Sequence, residues 1–209
     1  MSQLTFVLGR SGTGKSTSLR NFKKTDGIGY ITAIRKPLPF KTDIGQYHAE
    51  SYGKLIAAIK QTDVPVVVID DFNYFMSFEE FSQAANKGYE KFTQMAVNVV
   101  NVIEAITNKK TDQRFYILAH SENNDDGQLR LKTTGKMVSD KFVPEGLTNQ
   151  VVETAVVDRD FVFKVKTDGS GIKTPMGMFV DETIPNDLKE LDKAIVEFYK
   201  PAPTKKESK

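Results

Sequence analysis

Short apolar runs alternate with amphipathic stretches from the start of the chain to His120. Leu4 to Leu8 is a mostly apolar run closed by Gly9, the pattern of a buried strand. Ser16 to Phe22 predicts the start of a helix, and Ile28 to Ile34 a second strand after the turn signal Asp26-Gly27. Lys36 to Gln46, with Pro37 and Pro39, reads as a loop. Tyr52, Leu55, Ile56 and Ile59 recur at helical spacing and predict a helix over 51–61. Val64 to Ile69 is a continuous apolar run ending in Asp70-Asp71, as expected of a parallel strand covered on both faces. The broad stripe Tyr89, Phe92, Met95, Ala96, Val99, Val100, Ile103 and Ile106 predicts the longest helix. Phe115 to Ala119 is another buried strand, ending in His120-Ser121. This alternation predicts an α/β fold with a mostly parallel central sheet flanked by helices.

The remainder changes character. Residues 122–136 are polar and carry turn signals at Asp126-Gly127 and Gly135. Val151–Val157 and Phe161–Lys166, split by Asp158-Arg159-Asp160, predict an antiparallel C-terminal hairpin. A last helix is expected over 186–199. At 209 residues, and about 150 residues per domain, the chain reads as one domain over 1–200 with a disordered polar tail over 201–209.

Composition narrows the chemistry. Hydrophobic residues make up 39% and charged residues 27%, values of an ordinary globular protein rather than a disordered or fibrous one. No segment approaches the roughly 18 uninterrupted apolar residues of a membrane span, and the N-terminus lacks the basic lead-in of a secretory leader, so a cytoplasmic location is expected. The chain has no cysteine and only His48 and His120, which argues against disulfides and against thiolate or histidine zinc sites. A net charge of +2 means that affinity for nucleic acid must come from a local patch.

The most specific feature is Gly9-Arg10-Ser11-Gly12-Thr13-Gly14-Lys15-Ser16. It satisfies G-x-x-x-x-G-K-[ST] between a predicted strand and a predicted helix. Glycines let successive backbone N–H groups face one phosphate, and a helix N-terminus adds its dipole. Gly9 to Thr17 would then cradle ATP, with Lys15 on the β- and γ-phosphates and Ser16 on Mg²⁺. Asp70 is the expected second magnesium partner, through water; a solvated strand-end carboxylate is the plain alternative. Two residues compete as the base that orients the attacking water, Asp71 and Glu50. His120 ends a strand where α/β sheets bind ligands, which suits a γ-phosphate contact as well as a capping role. His48 reads as structural.

Together the phosphate motif, the Val66–Asp71 strand, the Phe115–His120 strand and the C-terminal hairpin resemble RecA-like P-loop ATPases. More narrowly, the chain resembles the small phage-encoded AAA-type ATPases of the Sak recombination and single-strand annealing group. The resemblance spans roughly residues 3–180. It implies an oligomeric, ring- or filament-forming ATPase stimulated by single-stranded DNA, acting in phage recombination or replication within the host cytoplasm. It also implies that the loop after Phe115–Ala119 touches DNA, and that a basic residue after the hairpin reaches a neighbouring subunit's ATP. Lys173, within Gly171-Ile172-Lys173-Thr174-Pro175-Met176-Gly177, falls at that position, with Pro175 where an arginine would complete the motif.

A nucleic-acid surface is best placed on Gln128–Lys141, where Arg130, Lys132, Lys136 and Lys141 face only Asp140, although Glu122, Asp125 and Asp126 precede them. A solvated loop is the plain alternative. The clusters Arg20/Lys23/Lys24 and Arg35/Lys36/Lys41 read as solvated faces. Two other functions fit a P-loop of this size. A small nucleotide kinase needs an arginine-rich lid, whereas Arg10, Arg20, Arg35, Arg114, Arg130 and Arg159 are scattered. A non-catalytic adaptor would use nucleotide only to lock a conformation.

Overall fold

The computed structural model describes residues 2–85, 88, 90–134 and 143–200. The expected Tyr89, the basic residues Lys136 and Lys141, and the 201–209 tail lie outside them. The strands are β1 (Gln3–Gly9), β2 (Ile28–Thr32), β3 (Gln46–His48), β4 (Val66–Asp70), β5 (Arg114–Asn123), β6 (Leu129–Leu131), β7 (Gln150–Val157), β8 (Asp160–Lys164) and β9 (Thr183–Pro185). The helices are α1 (Tyr52–Gln61), α2 (Asn73–Ser82), α3 (Glu90–Thr107) and α4 (Leu188–Phe198).

The strands form one sheet in the order β3-β2-β4-β5-β1-β7-β8-β9, with β6 attached to β5. From β3 to β7 every neighbouring pair is parallel; β8 and β9 are antiparallel additions, so the sheet is mixed. Burial explains the parallel part. All of β4 is buried, and so are Phe115 to Ala119 of β5, because helices cover both faces. One face packs on α1, α2 and α3 through Leu55, Ile59, Phe75, Met95, Val99 and Ile103. The other packs Leu19, Phe22, Leu188, Leu191 and Ile195 against Val7, Val68 and Leu118.

Three departures from the expected elements matter for the site. The stretch Ser16–Phe22 forms only one 3₁₀ turn, Ser16–Leu19, followed by irregular chain. A second short turn at Lys24–Asp26 then leads into β2 at Ile28. β2 stops at Thr32 rather than Ile34, because the Thr32 hydroxyl exchanges hydrogen bonds with the Ile34 backbone and turns the chain. α2 follows Asp71 directly, where sequence periodicity gave no helix: Phe75 and Met76 are buried while Phe78 and Phe81 stay exposed, so its apolar residues do not gather on the core face, and its N-cap Phe72 offers no side-chain acceptor.

The hairpin from β7 to β8 turns on Asp158 and Arg159, both at positive φ (50° and 74°), as a two-residue hairpin turn requires.

Candidate functional site

Register brings the candidate residues to one edge. Gly9 lies opposite His120 across β1 and β5, and Thr32 lies opposite Asp70 across β2 and β4. All are at the carboxyl ends of parallel strands, where such sheets leave a crevice for ligands. β5 lies between the strand that feeds the glycine-rich loop and the strand that ends in Asp70.

The loop turns where glycine is needed. A Cβ on Gly9 would lie 2.0 Å from the Thr154 hydroxyl oxygen, so β7 can approach only if Gly9 has no side chain. Gly14 has φ +95°, which glycine adopts without strain. The loop is also tied from outside: the Thr13 hydroxyl bonds to that of Thr154 at 2.6 Å and donates to the Arg10 carbonyl at 2.8 Å. Arg10, Ser11 and Gly12 are exposed at its tip, while Thr17 is half-buried in the following turn. The expected helix-dipole contribution is reduced to one 3₁₀ turn, so Lys15 and the loop's own N–H groups must supply the positive field.

Lys15 is nearly buried. Its ammonium donates to the Gly9 and Arg10 carbonyls at 2.7 and 2.8 Å and stands 3.5 Å from His120 Nδ1. Burial is the main force on its pKa and lowers it to about 8, against the opposing pull of Asp70 and Asp71. His120 is also pushed down, first by burial and then by the Lys15 charge. It is therefore a neutral imidazole near pH 7, held at its backbone by the Asn73 carboxamide, which accepts from the His120 N–H at 2.5 Å.

Across the crevice Ser16 donates to Asp70 Oδ2 at 2.6 Å, a contact between residues 54 positions apart. Tyr30 donates to the same oxygen at 2.9 Å, and the Asp71 N–H to Oδ1 at 2.7 Å. Asp70 is 1% exposed. Burial, then the neighbouring Asp71 charge, raise its pKa, and the three donors offset this only in part. A divalent cation would relieve that cost. Among the described residues no group of three or more His, Cys, Asp or Glu side chains could hold a metal. Ser16 and Asp70 fit Mg²⁺ instead, which takes one or two protein oxygens and completes its shell with phosphate and water.

Asp71 has φ +57°, a left-handed conformation that costs a non-glycine residue about 1 kcal/mol or more. Its Oδ2 is 2.6 Å from Lys36 Nζ. Lys36 was expected on a solvated face; instead it reaches into the edge and acts electrostatically on Lys15 and His120. Its own pKa is lowered by burial but raised more by the Asp71 contact, so the net shift is upward.

Glu50 is not brought to this site. It sits half-exposed before α1, ion-paired with Lys54 and Arg35, and those partners hold its pKa below the usual range. Of the two candidate bases, the structure brings only Asp71 to the loop. Lys173 does not lie on a projecting segment either: its backbone exchanges hydrogen bonds with Val151 (2.7 and 3.0 Å), in the amino-terminal half of β7, and its side chain is half-buried near Glu145. His48 contacts the Ala33 carbonyl, a structural role.

Of the basic loop, Arg130 lies on β6 opposite Glu122 and is bonded to Gln128 at 3.2 Å. Lys132 donates its N–H to the His120 carbonyl at 2.8 Å, which brings it beside the phosphate loop. An open cavity of about 710 Å³ is lined there by Arg10, Asn73, Tyr74, His120, Glu122 and Lys132. The Tyr74 ring meets His120 edge-on at 6.4 Å.

Sequence reasoning missed Tyr30, Lys36, Asn73 and Tyr74. A phenol inside an apolar strand was a usable signal for Tyr30. Lys36 gave none, since a lysine in a basic loop looks the same whether it is solvated or reaching inward.

No protein-family model matches the chain. No curated protein matches it either. What the site does must be argued from its own geometry.

Proposed function

We propose that the protein binds ATP with Mg²⁺ at the Gly9–Thr17 loop and hydrolyses it. The observation that carries this reading is the Ser16–Asp70 contact beside a buried Lys15. A hydroxyl from the loop and a carboxylate from a separate strand converge on one point, next to an ammonium whose hydrogen-bond partners among the described residues are the Gly9 and Arg10 carbonyls and His120. Lys15 would exchange the Gly9 and Arg10 carbonyls for phosphate oxygens, a stronger charge-assisted contact. Ser16 and Asp70 would hold Mg²⁺, which supplies charge neutralisation to the terminal phosphates. Asp71, placed beside Asp70 by its backbone, would accept a proton from or align the attacking water. Neutral His120 would meet the γ-phosphate side from β5.

The RecA-like assignment, an oligomeric state and single-stranded DNA as the stimulating partner belong to the same proposal. Lys132 supports the DNA part, since it lines the cavity beside the phosphate loop with Tyr74 as an aromatic surface, and Arg130 lies two residues before it on β6. Alanine at both should weaken single-stranded DNA binding and lower its salt slope by roughly 0.7 per lost contact; an unchanged slope would assign these residues to solvent. The same cavity favours a second reading, phosphoryl transfer to an acceptor lodged there, although Arg10 is the one arginine we find lining it. ATP turnover measured with and without single-stranded DNA, and with nucleoside monophosphates as acceptors, separates the readings. Stimulation by DNA with release of inorganic phosphate supports the ATPase; a phosphorylated acceptor supports the kinase; no turnover at all rejects both.

A further inference from the structure

Lys36 is fixed at its base and half-exposed along its side chain. Leu38 and Ile44, in the same segment after β2, are anchored in the core, while the Lys36 side chain remains 46% exposed. Its ammonium grips the carboxylate of Asp71, which is itself only 6% exposed. The contact therefore does two things at once: it neutralises the carboxylate beside Asp70, and it occupies the Asp71 oxygen that a water would need.

We infer that Lys36 is a positioning residue that senses the terminal phosphate, holding Asp71 until a nucleoside triphosphate enters and then moving to the γ-phosphate, which frees the Asp71 carboxylate. This inference rests on the nucleotide-binding reading and gives it a residue that distinguishes triphosphate from diphosphate. Lys36 carries its charge at the same strand edge as Lys15 and His120 and lowers the pKa of both, so an anionic phosphate held by Lys15 attracts the same ammonium. A diphosphate leaves that space without the extra anionic oxygens, and the ion pair with Asp71 then remains the better contact. In the exchange Lys36 keeps an anionic partner, and the Mg²⁺ that Ser16 and Asp70 would hold becomes the nearby positive charge for the freed Asp71 carboxylate.

The test is calorimetric binding of ADP and of the non-hydrolysable β,γ-imido analogue of ATP, both with Mg²⁺, to the full chain. In wild type the triphosphate analogue should bind more tightly than ADP. Lys36→Ala should retain ADP affinity and lose about 10- to 100-fold in affinity for the triphosphate analogue, the range of one charge-assisted hydrogen bond, and Lys36→Arg should recover most of it. Asp71→Asn probes the exchange from the other side without altering Lys36. Releasing the lysine from its partner should raise the preference for the triphosphate analogue. If Lys36→Ala and Asp71→Asn both discriminate the two nucleotides as wild type does, the exchange is wrong while nucleotide binding stands. If wild type binds neither nucleotide, the nucleotide-binding reading fails and the inference fails with it.

Discussion

β5 carries a charged cluster at each end, and the two are built differently. At its amino end Arg114 meets Asp192 of α4 through two hydrogen bonds, Nε to Oδ1 at 2.6 Å and Nη2 to Oδ2 at 3.1 Å, and Tyr116 adds its hydroxyl to Oδ1 at 2.7 Å. There one cation faces one carboxylate, and Asp192 outweighs burial to raise the Arg114 pKa. At its carboxyl end His120 joins Lys15, Lys36, Asp70 and Asp71. Two carboxylates are adjacent, Asp70 is pushed up, and Lys15 is pushed down. The first cluster is complete in itself and ties a helix to the sheet. The second leaves Lys15 and Asp70 without a direct ion pair among the described residues, the pattern expected where a charged ligand completes the set.

The contrast can be broken by substitution. The largest effect is expected from Lys15→Ala, which should slow ATP hydrolysis by about 10³-fold or more through loss of charge at the transferring phosphate. It should not lower the melting temperature. A lysine whose folded pKa is depressed from 10.5 to about 8 binds fewer protons in the folded state across that window, so its contribution to stability grows as pH rises through it and is unfavourable below it. A sharp drop in melting temperature near neutral pH would show that Lys15 is structural.

Asp192→Ala should do the reverse. Removing one partner takes the acceptor from Arg114 Nε and Nη2 and from the buried Tyr116 hydroxyl, at a cost of about 3 kcal/mol in denaturant unfolding. Nucleotide affinity of the folded fraction should be unchanged; a parallel loss of affinity would mean that the two ends of β5 are not separable.

Asp71→Asn should slow hydrolysis by roughly 10²-fold while retaining nucleotide binding. Normal turnover in this variant would remove Asp71 from the chemistry.

The smallest effect is a pH dependence. Binding an anion requires protonated Lys15, so affinity for the β,γ-imido ATP analogue should be level below about pH 7.5 and fall by up to tenfold per unit above about 8. A flat profile to pH 10 would show that Lys15 does not bear on the phosphates.

Much of this was legible in the chain because it depends on strong local signals. Continuous apolar runs marked β1, β4 and β5, and periodicity marked α1 and α3, since both faces of the sheet must be covered. The phosphate motif is contiguous, and Asp70 stood out as a charge at the end of a fully apolar strand. What was not legible depends on distance or on brevity. β3, β6 and β9 are three residues each, too short to show a period. α2 is aromatic on several sides, so no stripe was visible. Ser16–Leu19 is a single 3₁₀ turn, although the sequence there reads as the start of a helix. Asp71 and Glu50 both read as candidate bases, and the structure separates them by placing Asp71 directly after β4 and Glu50 among Arg35 and Lys54 before α1. Lys36 became visible only through its contact with a carboxylate 35 positions later.

The central claim is that the Gly9–Thr17 loop is a magnesium-nucleotide site, and calorimetric titration of the wild-type chain with ATP analogue and Mg²⁺, repeated with Lys15→Ala and with Mg²⁺ removed, tests it most directly. The account predicts one nucleotide per chain for wild type, an affinity at least about 100-fold weaker for Lys15→Ala, and a clear loss without Mg²⁺. A folded wild-type chain that gives no binding heat, or a Lys15→Ala chain that binds as tightly as wild type, would contradict it.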